Sequence, residues 1–225
     1  MTALNDLSIV IPVGPEDDAW HHLLKELADF GQEPEIILSA CRQQPADTEL
    51  PGHAHWFCAA QGRAHQLNNG ASQSARGYIW FVHADTRFTP GVMEAVQHFI
   101  EADGQGLGYF RLMFADDGPG LTRLNASAAN FRSRCFGLPF GDQGFIVRKS
   151  VFRQMNGFDE SVALGEDLDF VVRLQAAGIP LHELPAELIT SARRYRHHGW
   201  LSTTARHLWL TWQLTRQARR RLGPA

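Results

Sequence analysis

Tyr78-Ile79-Trp80-Phe81-Val82 runs straight into His83-Ala84-Asp85-Thr86, five apolar residues ending in a segment that carries a carboxylate. An apolar run without polar alternation reads as a strand covered on both faces. The flanks agree with this reading. Before the strand, Ala64, Leu67, Ala71 and Ala75 fall on one helical face, and Gly77 leads into it. After it, Thr89-Pro90 is a helix start, with Val92, Val96, Phe99 and Ile100 on the buried side. Farther upstream, Ser8–Val13 is a mostly β-branched strand. Asp17 or Asp18 caps a helix built on Trp20, Leu23, Leu24, Leu27 and Ala28, and Gly31 ends it. Glu35–Leu38 and His55–Cys58 supply two more strands. Strands alternating with helices through short connections predict an α/β fold, a mostly parallel central sheet with helices on both faces. Such sheets bind ligands at the carboxyl ends of their strands. That rule selects Gly14–Asp18, the segment near Arg63, and His83–Thr86.

The second half has a different pattern. Gly108–Ala115 reads as a strand and Leu121–Cys135 as a helix, followed by a Gly-rich loop over Leu138–Gly144 and the strand Phe145–Arg148. Ser150 caps a short helix ending near Gly157, and a longer helix runs from Glu166 to Ala177 before the stop Gly178-Ile179-Pro180. At 225 residues the chain has room for one large domain. The expected division is a catalytic domain over 1–199 and a basic, aromatic C-terminal helical appendage over 200–225.

Apolar residues at 44% and charged residues at 20% fit a soluble globular enzyme. Cys41, Cys58 and Cys135 are odd in number and lack paired spacing, which points to reduced thiols in a cytoplasmic setting. Neither a leader-like N-terminus nor a bilayer-length apolar run is evident. The net charge of −3 is unevenly spread: from Arg193 onward there are eight arginines and no acid, while the rest carries 13 basic and 24 acidic residues. A basic tail of this kind meets an anion such as phosphate, anionic lipid or nucleic acid. The body offers no basic surface for nucleic acid, which is not an expected partner.

Asp85 follows a buried strand, where one carboxylate suffices for Mg²⁺ or Mn²⁺ if substrate phosphates supply further oxygens. Its structural alternative is a cap on the next turn. Gly165-Glu166-Asp167 opens a helix, where the dipole favours acids and where a rigid carboxylate can also take a proton from a hydroxyl. Gly141-Asp142-Gln143-Gly144 is either an acceptor-binding loop through Asp142 and Gln143 or a polar turn. Arg63, between Gly62 and a helix, meets a phosphate or base, or is simply solvated. The paired histidines lack a metal-ligand set. Gly104-Gln105-Gly106-Leu107-Gly108 lies between a helix and a strand, so it is a turn and not a dinucleotide fingerprint.

In order, Ser8-Ile9-Val10-Ile11-Pro12-Val13, Gly62-Arg63-Ala64, His83-Ala84-Asp85-Thr86, Gly141-Asp142-Gln143-Gly144 and Gly165-Glu166-Asp167 resemble the family 2 glycosyltransferases of GT-A fold. Together with Thr190–Arg194, they look closest to a bacterial subgroup associated with arsenosugar biosynthesis. The resemblance spans roughly residues 7 to 200. It implies inverting transfer from a nucleotide diphosphate sugar to a hydroxyl acceptor. Asp85 would coordinate the divalent metal, Asp167 would be the general base with Glu166 beside it, and Pro12, Val13, Glu16, Arg63 and Ala84 would join Asp85 in the nucleotide pocket.

The departures are specific. His83 replaces the first Asp of the family's Asp-X-Asp motif, Ala40 stands about where a base-reading Asp is usual, and Gly14-Pro15-Glu16 lacks the usual Asn before Glu. The subgroup shares the His83 change, whereas Ala40 and Pro15 make a catalytically silent nucleotide-sugar-binding module the second reading. A nucleotidyltransferase is disfavoured, because no Gly-rich phosphate loop follows the first strand. For the tail, two expectations stand: packing on the catalytic domain or a second subunit, or peripheral contact with the inner face of the membrane.

Overall fold

The strand that begins at Tyr78 is β4 (Tyr78–Phe81), and it pairs in parallel with β1 (Leu7–Val13). The computed structural model describes residues 3–31, 34–117, 121–192 and 200–221, with backbone alone for 200–203, 205, 207 and 208. Beyond β1 the sheet continues in parallel through β2 (Glu35–Ala40) and β3 (Ala54–Cys58). Beyond β4 the directions are mixed. Strand β7 (Phe145–Arg148) is antiparallel both to β4 and to β6 (Leu107–Phe114), β8 (Leu181–Thr190) runs parallel to β6, and the short β5 (Arg87–Phe88) closes the edge antiparallel to β8. The order of the eight strands is β3-β2-β1-β4-β7-β6-β8-β5. The expected α/β architecture is present, with a sheet that is parallel on the β1 side and mixed on the other.

Period-two alternation explains why these strands are apolar on both faces. Ile9, Ile11, Leu38 and Trp80 join one core layer with α1 (Trp20–Ala28) and α3 (Val92–Glu101). Val10, Ile37, Ile79 and Phe81 join the other with α2 (Arg63–Gln73), α5 (Lys149–Gln154) and α6 (Glu166–Ala176). Helix α4 (Thr122–Phe136) is fixed to β6 by Asn130, whose side chain accepts from Leu112 N at 2.8 Å and donates to Leu112 O at 3.0 Å. The C-terminal helix α7 (Trp200–Arg221) packs on α6, with Leu214 against the second core layer and Ala218 buried. No helix among the described residues is long and apolar enough to cross a membrane.

Three local expectations are corrected. Helix α3 starts at Val92 rather than at Thr89-Pro90, because Thr89 Oγ1 donates to Glu187 O at 2.8 Å and holds the segment against β8; Gly91 at φ 89° makes the turn. Helix α5 starts at Lys149 rather than after a Ser150 cap, because Lys149 N donates to Gly77 O at 2.8 Å as β7 ends. At α1 the cap position is Ala19, and Asp17 instead accepts from Ala19 N at 3.0 Å, while Asp18 pairs with Arg42. Strand β8 was hidden by Pro185, which lies within the irregular stretch between the Tyr109↔Glu183 and Arg111↔Glu187 pairs. A proline inside a run reads against a strand, yet at a bulge its missing N–H costs nothing. Of the Thr190–Arg194 stretch, Arg193 and Arg194 lie outside the described residues.

Helix α2 sits so close to the sheet that a Cβ on Gly70 would collide with Val10 Cγ1 and press on Ser39 Cβ at 3.4 Å. Gly70→Leu should therefore lower stability by about 1–3 kcal/mol through overpacking. Any gain in helix propensity, about 1 kcal/mol, works against that loss. A urea titration checks this, and an unshifted midpoint would contradict the packing.

Candidate functional site

Strand β4 ends beside the middle of β1, where Val82 N donates to Val10 O at 3.0 Å. The chain then turns, closed by Thr86 N donating to His83 O at 3.1 Å. Ala84 is buried and pins this turn, leaving Asp85 half-buried on the rim of a cleft of about 2740 Å³. That volume exceeds the few hundred to about 1,000 Å³ of a typical small-ligand pocket. Pro12, Glu16, Arg63, Ala84, Asp85, Asp142, Glu166 and Asp167 all line it.

Arg63, the first residue of α2, reaches across the cleft floor. Its Nε stands 3.0 Å from Glu166 Oε1 in an ion pair, off the N–H axis. Its Nη2 contacts His83 Nε2. Because guanidinium only donates, His83 Nε2 accepts, which assigns the imidazole proton to Nδ1. One side chain thereby joins the start of α2, the turn after β4 and the start of α6. Burial and the neighbouring Asp167 charge push the Glu166 carboxyl above its ordinary value, against the pull of Arg63.

Asp167 follows on the same helix start. Its Oδ2 accepts from Gly141 N at 2.7 Å and its Oδ1 from Leu168 N at 2.8 Å. Each oxygen is thus oriented by a backbone donor and keeps a lone pair for the cleft. Gly141 belongs here for a steric reason: a Cβ would run into Arg63 Nη2 and lie 3.1 Å from Asp167 Oδ2. Asp142 is half-buried as a residue, but its Oδ1 is sealed from solvent without a hydrogen-bond partner among the described residues. Burial raises its carboxyl to about 6; Asp167 and Asp85 push the same way, and Arg132 and Arg63 oppose them.

Two expected site residues do not face the cleft. Val13 is fully buried, and its carbonyl accepts from Gln66 Nε2 at 2.6 Å, so neither its side chain nor its carbonyl is turned to a nucleotide. Gln143 is also fully buried: its Oε1 accepts from Ser133 Oγ at 2.7 Å and Phe140 N at 3.1 Å, and its Nε2 donates to Phe110 O at 2.8 Å. It braces the loop that presents Asp142 instead of meeting an acceptor. Ala40, where the resemblance expects a base-reading Asp, is likewise sealed in the core.

The structure adds residues that carried no signal in the sequence. Gln66 ties β1 to β2 from α2, donating also to Ser39 O at 2.9 Å. Arg132 of α4 lies 3.6 Å over the Phe140 ring, donates to Leu138 O at 2.8 Å and lines the cleft. From α7, Leu214 packs at the start of α6, where a Cβ on Gly165 would lie 2.6 Å from Leu214 Cδ1.

No family model matches the chain. Pre-mycofactocin glycosyltransferase from two strains of Mycobacterium tuberculosis, CDC 1551 / Oshkosh and H37Rv, is 24% identical over 222 residues, covering 89% of this chain and 45% of theirs. The chain thus spans about half the length of these curated relatives. Among solved structures, S. aureus TarS matches with a TM-score of 0.59 at 15% identity, over 83% of this chain and 35% of that one. TarS 1–349 in complex with UDP-GlcNAc matches with a TM-score of 0.58 at 15% identity, over 83% of this chain and 56% of that one. At such identity the likeness shows the fold, which is of the GT-A type.

The raised Asp142 carboxyl links stability to pH. Between about pH 4 and about 6 the folded form keeps a proton that the unfolded chain has released, so stability falls as pH rises through that window and levels off above it. For a rise of about two pH units the loss is on the order of 3 kcal/mol at most. Asp142→Asn should remove that decline and be more stable than wild type at pH 8. Denaturant melts of both proteins across pH 4–8 check it, and parallel profiles would remove the assignment.

Proposed function

We propose that this chain is the donor-binding and catalytic part of a glycosyltransferase, moving a sugar from a nucleotide diphosphate sugar to a hydroxyl acceptor with inversion. The observation that carries the reading is the pairing, on one cleft, of Asp85 beyond a parallel strand with an Asp167 oriented by two backbone donors. The names of the relatives and the UDP-GlcNAc complex of TarS support it. Membership of family 2, and of the subgroup associated with arsenosugars, rests on the motif resemblance.

The diphosphate lies at the carboxyl end of β4, within reach of Asp85 and Arg63, and the nucleoside lies toward Pro12 and Glu16. Among the described residues no three His, Cys, Asp or Glu side chains come together as a metal cage. Asp85 alone fits Mg²⁺ or Mn²⁺ in the manner of sites that use one or two carboxylates and complete the shell with phosphate oxygens and water. Such an ion, when bound, neutralises charge on the departing diphosphate. Asp167 accepts the proton of the acceptor hydroxyl as that oxygen bonds to the anomeric carbon, while the bond from that carbon to the diphosphate breaks on the opposite face. Arg63 holds Glu166 and balances negative charge on the cleft floor. Asp142 stands beside Asp167 for contact with the acceptor.

One observation favours a silent binding module instead: Ala40, where the resemblance expects a base-reading Asp, is sealed in the core. Mutants separate the two. Asp85→Asn should weaken Mn²⁺-dependent binding of UDP in calorimetry by about tenfold or more, with the fold intact; equal affinity would sink the metal role. Asp167→Asn should keep donor binding and lower transfer by about 10²–10⁴-fold. Wild-type protein that binds donor and turns nothing over would establish the silent reading.

A further inference from the structure

Helices α4 and α7 border the same cleft and are joined by Asn125 Nδ2 donating to Thr204 Oγ1 at 2.9 Å. Neither helix contains an acidic residue, and together they hold eight arginines, leaving 13 basic and 24 acidic residues for the rest of the chain. Most of the large exposed apolar side chains belong to these two helices or adjoin them, and Phe131, Phe136 and Trp212 line the cleft. Leu121, Leu124, Phe131 and Phe136 stand on or next to α4, and Trp209 and Trp212 stand on α7. Elsewhere among the described residues only Met113 and Leu164 are of that kind.

On α7, residues 209, 212, 216 and 219 recur at spacings of three and four and share one face, opposite Leu214 and Ala218. That exposed face carries tryptophan and arginine, of which Trp212, Arg216 and Arg219 also line the cleft, while Leu214 and Ala218 pack on the protein. Trp212 is 60% exposed, with the Arg216 guanidinium 5.3 Å from its ring. Arg134, Arg123 and Arg221 have carboxylate partners; Arg206, Arg216, Arg219 and Arg220 take part in no ion pair among the described residues.

We infer that this face of α4 and α7 docks on an anionic phospholipid bilayer, with the cleft mouth turned toward the lipid. Aromatic and aliphatic side chains enter the headgroup region while guanidinium groups meet phosphates. The acidic remainder is repelled by an anionic surface, so the same charge asymmetry sets the orientation. A second copy of the chain fits less well, since a two-fold contact would set arginines against arginines. Nucleic acid would satisfy the arginines but not six exposed leucines, phenylalanines and tryptophans.

The test is co-sedimentation of the full chain with sucrose-loaded vesicles of phosphatidylglycerol and phosphatidylcholine, and with phosphatidylcholine alone. Binding should require the anionic lipid and weaken with salt. Arg219→Gln with Arg220→Gln should reduce partitioning tenfold or more, at about fivefold per charge. Trp209→Ser with Trp212→Ser should reduce it similarly, and the wild-type tryptophan emission should shift to the blue on binding. Circular dichroism melts confirm that both variants fold. No sedimentation with anionic vesicles, equal binding to both lipids, or wild-type binding by both variants would overturn the proposal. So would lipid-free dimerisation that is lost in the tryptophan variant, or tighter binding to duplex DNA than to vesicles.

Discussion

Three elements far apart in the chain meet at the Arg63 guanidinium, and the cleft floor keeps its shape only while they do. Its partners are Glu166 at the start of α6 and His83 in the turn after β4, with Gly141 close beneath. Glu166 is buried, and its carboxyl is raised in spite of Arg63, because burial outweighs the attraction. A pair of this kind adds little to stability, since desolvation offsets the Coulombic gain. Its value is geometric: it fixes where Asp167 stands relative to Asp85. The absence of a side chain on Gly141 is the other half of the same constraint, since it lets the guanidinium and the Asp167 carboxylate share one spot.

Charge is divided in a way that follows this geometry. The cleft floor collects Asp85, Asp142, Glu166 and Asp167, with Arg63 and Arg132 as the nearby cations. The outer wall is α7, which has no acid at all. Negative charge inside a cleft proposed to take a diphosphate requires a counter-cation, and the metal proposed at Asp85 fits that need. Asp142 answers the same crowding differently, by holding its proton up to about pH 6.

Much of the fold was legible in local pattern. Apolar runs at Ser8–Val13 and Tyr78–Val82 marked strands because both faces of the sheet are covered, and the position of Asp85 just beyond one of them is what brings it to the cleft. Strand β8 was not, because Pro185 breaks the run and the pairing absorbs it in an irregular register. Thr89 looked like a helix start because its hydrogen bond to Glu187 comes from a segment 98 residues away. Gln143 looked like a ligand residue because sequence shows polarity and not direction; its amide is spent on Ser133, Phe140 and Phe110. Arg132 could not be found at all, since only the packing of α4 brings it over Phe140.

The proposed chemistry depends on a diphosphate and a divalent ion meeting at the turn after β4. Crystals grown with UDP and Mn²⁺, with anomalous data at the manganese edge, measure that directly. An anomalous peak within coordination distance of an Asp85 carboxylate oxygen, bridged to the diphosphate and with Arg63 facing the same phosphates, is the expected result. UDP bound away from this turn, or manganese coordinated without Asp85, would contradict it.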